Sequence, residues 1–285
     1  MTTPYTLFIL DNDECLGSFG FLSLFHSYIV DTHCIKHDLK LNDPRRKQVD
    51  DLFTKFGAEM LGLGFARPSL REFFRMLQKL KKRDSHVRVV MYTSAPRYTD
   101  IEERDYTDWL TTLKNVLEHY TGCKIYDMTH SGRTDETHRR EAADGATLKD
   151  VRIILAKLGI SKDDVGGVVF LDDRPQNIAQ WEEYKFMRVG MTAYHCMPLK
   201  SSLAKLCVKY DSAFRALGCE YLPTAVLEKE YIESRTELRY DNRGKTNARC
   251  KDDDGLSRTE FRTTLGTFMN RMSHRRPVAP KPKTT

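Results

Sequence analysis

Apolar positions recur along this chain with two different periods, and the places where the period changes divide it into elements. Tyr5 to Leu10 is a short apolar run that ends in acids; "VRVVMY" (Val87 to Tyr92) ends in Thr-Ser-Ala-Pro, and "GVVFL" (Gly167 to Leu171) ends in Asp-Asp-Arg-Pro. Short β-branched runs bounded by polar residues predict buried strands. Between them the spacing becomes helical. Leu70, Phe73, Phe74, Leu77 and Leu80 share one face of "SLREFFRMLQKLKKR". Val151, Ile154, Leu155 and Leu158 share one face of "TLKDVRIILAKLG", with Thr147 placed to cap its start and Gly159 to stop it. Two more amphipathic helices follow from Leu110, Leu113, Leu117 and Tyr120, and from Leu203, Leu206, Tyr210, Phe214 and Leu217. Strands alternating with helices predict an α/β fold, a Rossmann-like parallel sheet flanked by helices. Ligands of such sheets sit beyond the carboxyl ends of the strands, the edge at which all three polar endings fall.

Residues 15–66 interrupt the alternation. Val49, Leu52, Phe53, Phe56 and Met60 repeat at helical spacing there, between the first and second strands. The expected organisation is therefore a catalytic core built from 1–14 and 67–218, with 15–66 as a helical cap-like insertion. Residues 219–269 form a polar C-terminal extension, and 270–285 a basic tail.

Composition narrows the partners. The chain has 285 residues, 40% of them apolar, and a formal charge of +6. Arg271, Arg275, Arg276, Lys281 and Lys283 supply five of those charges, with no acid among 270–285. Weak polyanion contact is thus expected of the Pro-rich, disordered tail and not of the body. Seven scattered cysteines without a CxxC pair argue against a disulfide framework or zinc ribbon and for a reducing, intracellular setting. The most apolar stretch, "FGFLSLFHSYIV", is interrupted by Ser and His and is too short to span a bilayer. No secretory signal or membrane partner is expected.

The chemistry concentrates at the strand ends. In "FILDNDECLG", Asp11 and Asp13 have the spacing that points two side chains to one face of an extended chain. Asp172 and Asp173 end another strand. Four acids at one edge repel one another unless a cation joins them, and Mg²⁺, which takes oxygen ligands, suits them. Other patterns read more blandly. "HCIKH" (His33 to His37) has zinc-like spacing but no second ligand pair, so a surface cluster is expected. "KDDDG" near Asp252 fails as a calcium loop because Cys250 and Phe261 would fill its first and twelfth positions. Lys149, taken alone, reads as an exposed lysine in a first helical turn, and Thr93 as an ordinary strand-end hydroxyl.

The order of these parts changes that reading. "DNDEC", "MYTS", "LKD" and "LDDRPQN" resemble the four motifs of the haloacid dehalogenase-like superfamily. "ARPSLREFF", "YTSAPRYTD" and "LKDVRIILAKLG" bring the resemblance closest to the branch of RNA polymerase II carboxy-terminal-domain phosphatases, over residues 5–190. The resemblance implies a Mg²⁺-dependent phosphomonoester hydrolase. Asp11 would be the nucleophile and form an aspartyl-phosphate, and Asp13 the general acid and base. Thr93, Ser94 and Lys149 would bind the phosphate, and Asp11, Asp13 (through its carbonyl), Asp172 and Asp173 the metal. It implies a phospho-Ser/Thr protein as substrate; the alternatives are a nucleic-acid 3′-phosphatase, a small-metabolite phosphatase, or a phosphate-binding module without turnover. Cys15 departs from the Thr or Val usual at its position, and a thiol is a poor donor for holding the loop.

Overall fold

Five strands form, all parallel: β1 (Tyr5–Leu10), β2 (Val87–Thr93), β3 (Met128–Ser131), β4 (Val165–Asp172) and β5 (Phe186–Gly190). The computed structural model describes residues 3–95, 97, 101–132, 149–174, 176, 178–179, 186–191, 193–194 and 198–228. Within them the fold is α/β and Rossmann-like, a sheet of order β3-β2-β1-β4-β5 with helices on both faces. The chain lays β1, β2 and β3 in one direction, then returns to place β4 on the other side of β1. That reversal makes the β1–β4 boundary the topological switch point, where sheets of this kind open a crevice.

Alternation along β1 serves both faces. Phe8 and Leu10 join Val89, Met91, Val169 and Leu171 in one apolar cluster; Leu7 and Ile9 join Val90, Tyr92, Val168 and Phe170 in the other. The helices are α1 (Gly20–His26), α2 (Thr32–Lys36), α3 (Pro44–Met60), α4 (Leu70–Arg83), α5 (Trp109–Thr121), α6 (Val151–Leu158) and α7 (Lys200–Ala216). Their ends follow local chemistry. Asp43 caps α3 through Arg45 N–H, with Pro44 in the first turn, and Asp108 caps α5 through Thr111 N–H. Gly159 ends α6 at φ 65°, as expected of it. The cap of α6 differs from the expectation. Asp150 accepts from Arg152 N–H and starts the helix after Lys149, while Thr147 lies outside the described residues. β3, part of a stretch that reads as a polar loop, and β5 are not among the three strands that the apolar runs predict.

Helices α1 and α2 are one rod, joined by a π turn at Ser27–Asp31 that keeps right-handed helical dihedrals throughout. Phe21, Leu22 and Phe25 of this rod and Phe53 and Phe56 of α3 belong to the same cluster as Phe8, Leu10 and Met91. The 15–66 segment therefore roofs one face of the sheet and has no separate core. Lifting it would expose those rings at about 1.5–3 kcal/mol each. In "HCIKH" the rings of His33 and His37 lie 4.6 Å apart, with His33 buried and His37 exposed. "KDDDG", the basic tail and the extension beyond residue 228 lie outside the described residues. No helix among the described residues is long and apolar enough to cross a membrane.

Candidate active site

Asp11 follows β1 directly, and its N–H donates to Leu171 O at 2.9 Å, extending the β1–β4 ladder by one step. Leu10 faces Leu171 across that ladder, so Asp11 and Asp172 emerge side by side at the switch point. Lys149 arrives from the other face of the sheet, fixed by a bridge to Ile178 just before α6 begins. Its Nζ lies 2.8 Å from Asp11 Oδ1 and 2.7 Å from Asp172 Oδ2. Lys149 is only 2% exposed, so it is no solvated first-turn lysine. Charged side chains are rarely buried this deeply without partners.

The charges do not balance around that one ammonium. Carboxylate oxygens of Asp11, Asp172 and Asp173 all lie within 4.8 Å of one another, an arrangement that could hold a metal ion. Burial pushes Asp11 up to about 6 against the pull of Lys149, with Asp173 adding to the rise. Asp172 is raised by burial, and Asp173 by burial and then by Asp172. Burial draws the Lys149 ammonium down, but Asp11 and Asp172 together overcome it and hold it above the usual lysine range. Arg174 adds a second cation at the edge, its Nε 3.5 Å from Asp173 Oδ2, so three carboxylates stand against two cations, and their hard oxygen donors are of the kind a divalent cation takes.

The other expected residues are distributed around this centre. Asp13 is turned aside. Its Oδ1 accepts from Phe19 N–H at 2.9 Å, at the start of α1, and its carboxylate is not part of the three-acid cluster. Burial raises its pKa, the direction that favours a proton donor. Thr93 is buried at the end of β2, two residues past Met91, the partner of Leu10. Its Oγ1 accepts from Ala95 N–H at 3.1 Å, which shapes the turn after the strand. Ser94 is half-buried beside it. Asp13 and Thr93 line one cavity, of about 190 Å³, over the ends of β1 and β2.

What holds the Asp11–Cys15 loop is Arg67, which in the sequence stands only inside "ARPSLREFF". Glu14 has φ 61°, a left-handed conformation costly for a residue with a Cβ. Arg67, 2% exposed, donates from Nε to Cys15 O at 2.8 Å and from Nη2 to Glu14 O at 3.2 Å. Tyr194 N–H donates to Glu14 O at 2.7 Å, and the Arg67 guanidinium lies 5.2 Å from the Tyr194 ring centre. The Cys15 side chain is fully buried in the apolar cluster, so the loop is fixed by its backbone and does not need a hydroxyl at position 15. Compared with protein-family models, with curated proteins and with solved structures, the chain matches none.

Proposed function

We propose that this chain is a phosphomonoester hydrolase of the haloacid dehalogenase type, working with Mg²⁺ through an aspartyl-phosphate on Asp11. The observation that supports this most is the buried Lys149 ammonium bridging Asp11 and Asp172. Lysine, a strand-end acid and a second strand-end acid pair are the parts the motif order requires, and three separate segments supply them. The three-acid cluster suits a hard divalent cation, because the donors are oxygens and the Lys149 ammonium with the Arg174 guanidinium leaves one carboxylate uncompensated. Bound by Asp11, Asp172 and Asp173, with the Asp13 carbonyl as a further ligand by resemblance, Mg²⁺ would neutralise that excess and polarise the phosphoryl oxygens.

The protein's own groups then divide the reaction. Asp11, ionised above about pH 6, attacks phosphorus as the bond to the leaving oxygen breaks. Lys149 offsets the charge on Asp11 and on the transferring group. Asp13, outside the cluster and raised by burial, gives its proton to the leaving oxygen, and an alcohol departs. Asp13 then takes a proton from a water that attacks the acyl-phosphate at phosphorus; inorganic phosphate leaves and Asp11 is restored. Thr93, with Ser94 beside it, holds phosphoryl oxygens at the end of β2.

The test is turnover of an aryl phosphate by the full chain with and without Mg²⁺, together with Asp11→Asn. Wild-type protein should form an acid-stable phosphoenzyme that hydroxylamine cleaves, and Asp11→Asn should form none. Turnover that survives Asp11→Asn would remove the nucleophile and, with it, the proposed route.

A further inference from the structure

The alcohol half of the ester must leave on the side of Asp13, because Asp13 hands it the proton. That side opens into the 190 Å³ cavity, which lies between α1 and the start of α5. Its walls are unusual for the helix that forms them. The rod Gly20–Lys36 is apolar towards the sheet, yet it turns Ser23, His26, Ser27 and Asp31 to the cavity. The π turn falls at Ser27–Asp31, and such turns concentrate at functional positions.

The chemistry of these walls is specific. His26 Nδ1 lies 3.3 Å from Asp31 Oδ2, and His26 Nε2 lies 3.2 Å from Thr112 Oγ1, so the ring is committed to holding Asp31. Asp31 is 7% exposed, and its Oδ1 has no hydrogen-bond partner among the described residues. A buried carboxylate oxygen left in that state calls for a donor. Arg97, which also lines the cavity, is already paired: its Nη1 donates to both oxygens of Asp108, and its Nη2 to Thr129. Asp13 and Asp31 therefore leave the cavity hostile to a second negative group. Phe19 and Trp109 add aromatic surface. At about 190 Å³ the cavity is below the usual drug-sized pocket.

We propose that this cavity binds the leaving group of the substrate and selects a small, uncharged, hydroxyl-rich alcohol, a short polyol or a single sugar ring, over a phosphorylated polypeptide. Hydroxyls supply donors to Asp31 and partners to Ser23 and Ser27, while the carbon faces lie on Trp109. This substrate class rests on the hydrolase reading above, but the occupancy of the cavity can be measured without turnover.

The experiment has two arms. In the first, the full chain with Mg²⁺ is assayed on glycerol phosphate, a hexose monophosphate, a hexose bisphosphate, phenyl phosphate and a phosphoserine peptide. A polyol or hexose monophosphate should lead in kcat/KM by about tenfold or more, one directed hydrogen bond being sufficient for that. Asp31→Asn should lower the preference over phenyl phosphate about tenfold, through KM. Ser27→Ala, which a helix accepts readily, should lower it in the same direction. In the second arm, Trp181→Phe leaves Trp109 as the only indole. Free glycerol and glucose, titrated into that protein, should change its fluorescence saturably, and Asp31→Asn should weaken the response. Hydrolysis of phenyl phosphate with no preference among alcohols and no Trp109 response overturns the pocket and leaves the hydrolase. A saturable response without any phosphoester turnover keeps the pocket and overturns the hydrolase. A phosphopeptide preferred over every small ester, or a cavity filled by water alone, overturns the pocket.

Discussion

Lys149 and Asp11 meet inside the protein, Nζ to Oδ1 at 2.8 Å, with 2% of one side chain and 8% of the other exposed. Neither charge is tolerable alone at that depth, so each explains the burial of the other. Asp172 shares the same ammonium at 2.7 Å. The pairing joins the segment before α6 to the ends of β1 and β4, and so fixes the candidate site and part of the core with the same contacts.

Replacing the ammonium should therefore be felt twice. Lys149→Met leaves two buried carboxylates facing each other and is expected to destabilise the protein by about 3–5 kcal/mol at neutral pH, the usual penalty for stripping one partner from a buried pair. The deficit should shrink in acid, where the carboxylates take up protons. Urea unfolding of both proteins at neutral and acidic pH measures it. Equal stability at both pH values would mean that the pair is not formed in solution.

The raised acids predict the pH dependence of the metal-free protein. A carboxylate whose folded pKa lies above its unfolded value binds its proton more tightly when folded. The stability this gives is complete below the unfolded value near 4 and is lost as pH rises through about 6. For Asp11 the shift corresponds to about 3 kcal/mol. In chelator, unfolding free energy should fall across this window, and Asp11→Asn should flatten the fall. If the cluster holds Mg²⁺ as proposed, added Mg²⁺ should restore the loss in proportion to ligand concentration. A pH profile identical in Asp11→Asn would remove Asp11 as its source.

Arg67 predicts a positioning effect separable from binding. Its two directed hydrogen bonds to Cys15 O and Glu14 O need a planar fork, which lysine lacks. Arg67→Lys keeps the charge and loses that geometry. With Asp11 on the same loop, kcat should drop about tenfold or more while KM for an aryl phosphate changes little. Steady-state kinetics with a thermal unfolding curve separates this outcome from simple loss of fold.

Why was so much of the site legible and Arg67 not? The strands β1, β2 and β4 are central and buried, so they read as mainly apolar runs that stop at polar residues, acids after β1 and at the end of β4 and hydroxyls at the end of β2. Edge strand β5 is half-exposed and carries Arg188, which removes both the run and the alternation. Asp11, Thr93 and the Asp172–Asp173 pair announce themselves because polar residues stand where strands stop; Lys149, just before α6, is legible only from the order of the motifs. Asp31 and His26 do not. A four-residue polar stripe within a helix resembles ordinary surface until the fold shows that it faces a cavity. Arg67 acts on backbone oxygens, which have no sequence signature at all.

The tightest point of the loop gives the last prediction. A Cβ on Gly17 would lie 2.5 Å from Phe65 O and 2.5 Å from a ring carbon of Phe19. Phe65 O cannot swing away like a side chain, since it also accepts from Ser18 N–H at 2.8 Å, and the neighbouring Arg67 N–H donates to Leu16 O at 3.0 Å. Gly17→Ala must therefore part the 65–67 segment from the loop that carries Asp11, at the roughly 1–3 kcal/mol typical of overpacking. Gly62→Ala is the control. Its Cβ would meet only a Tyr120 ring carbon at 3.8 Å, an ordinary contact. There the lost backbone freedom of glycine should leave stability unchanged or raise it by about 0.5–1 kcal/mol. Denaturant midpoints for the two variants should move apart, with turnover of an aryl phosphate falling only in Gly17→Ala. Coincident midpoints would show that the loop is loose and that Arg67 and Tyr194 do not hold it.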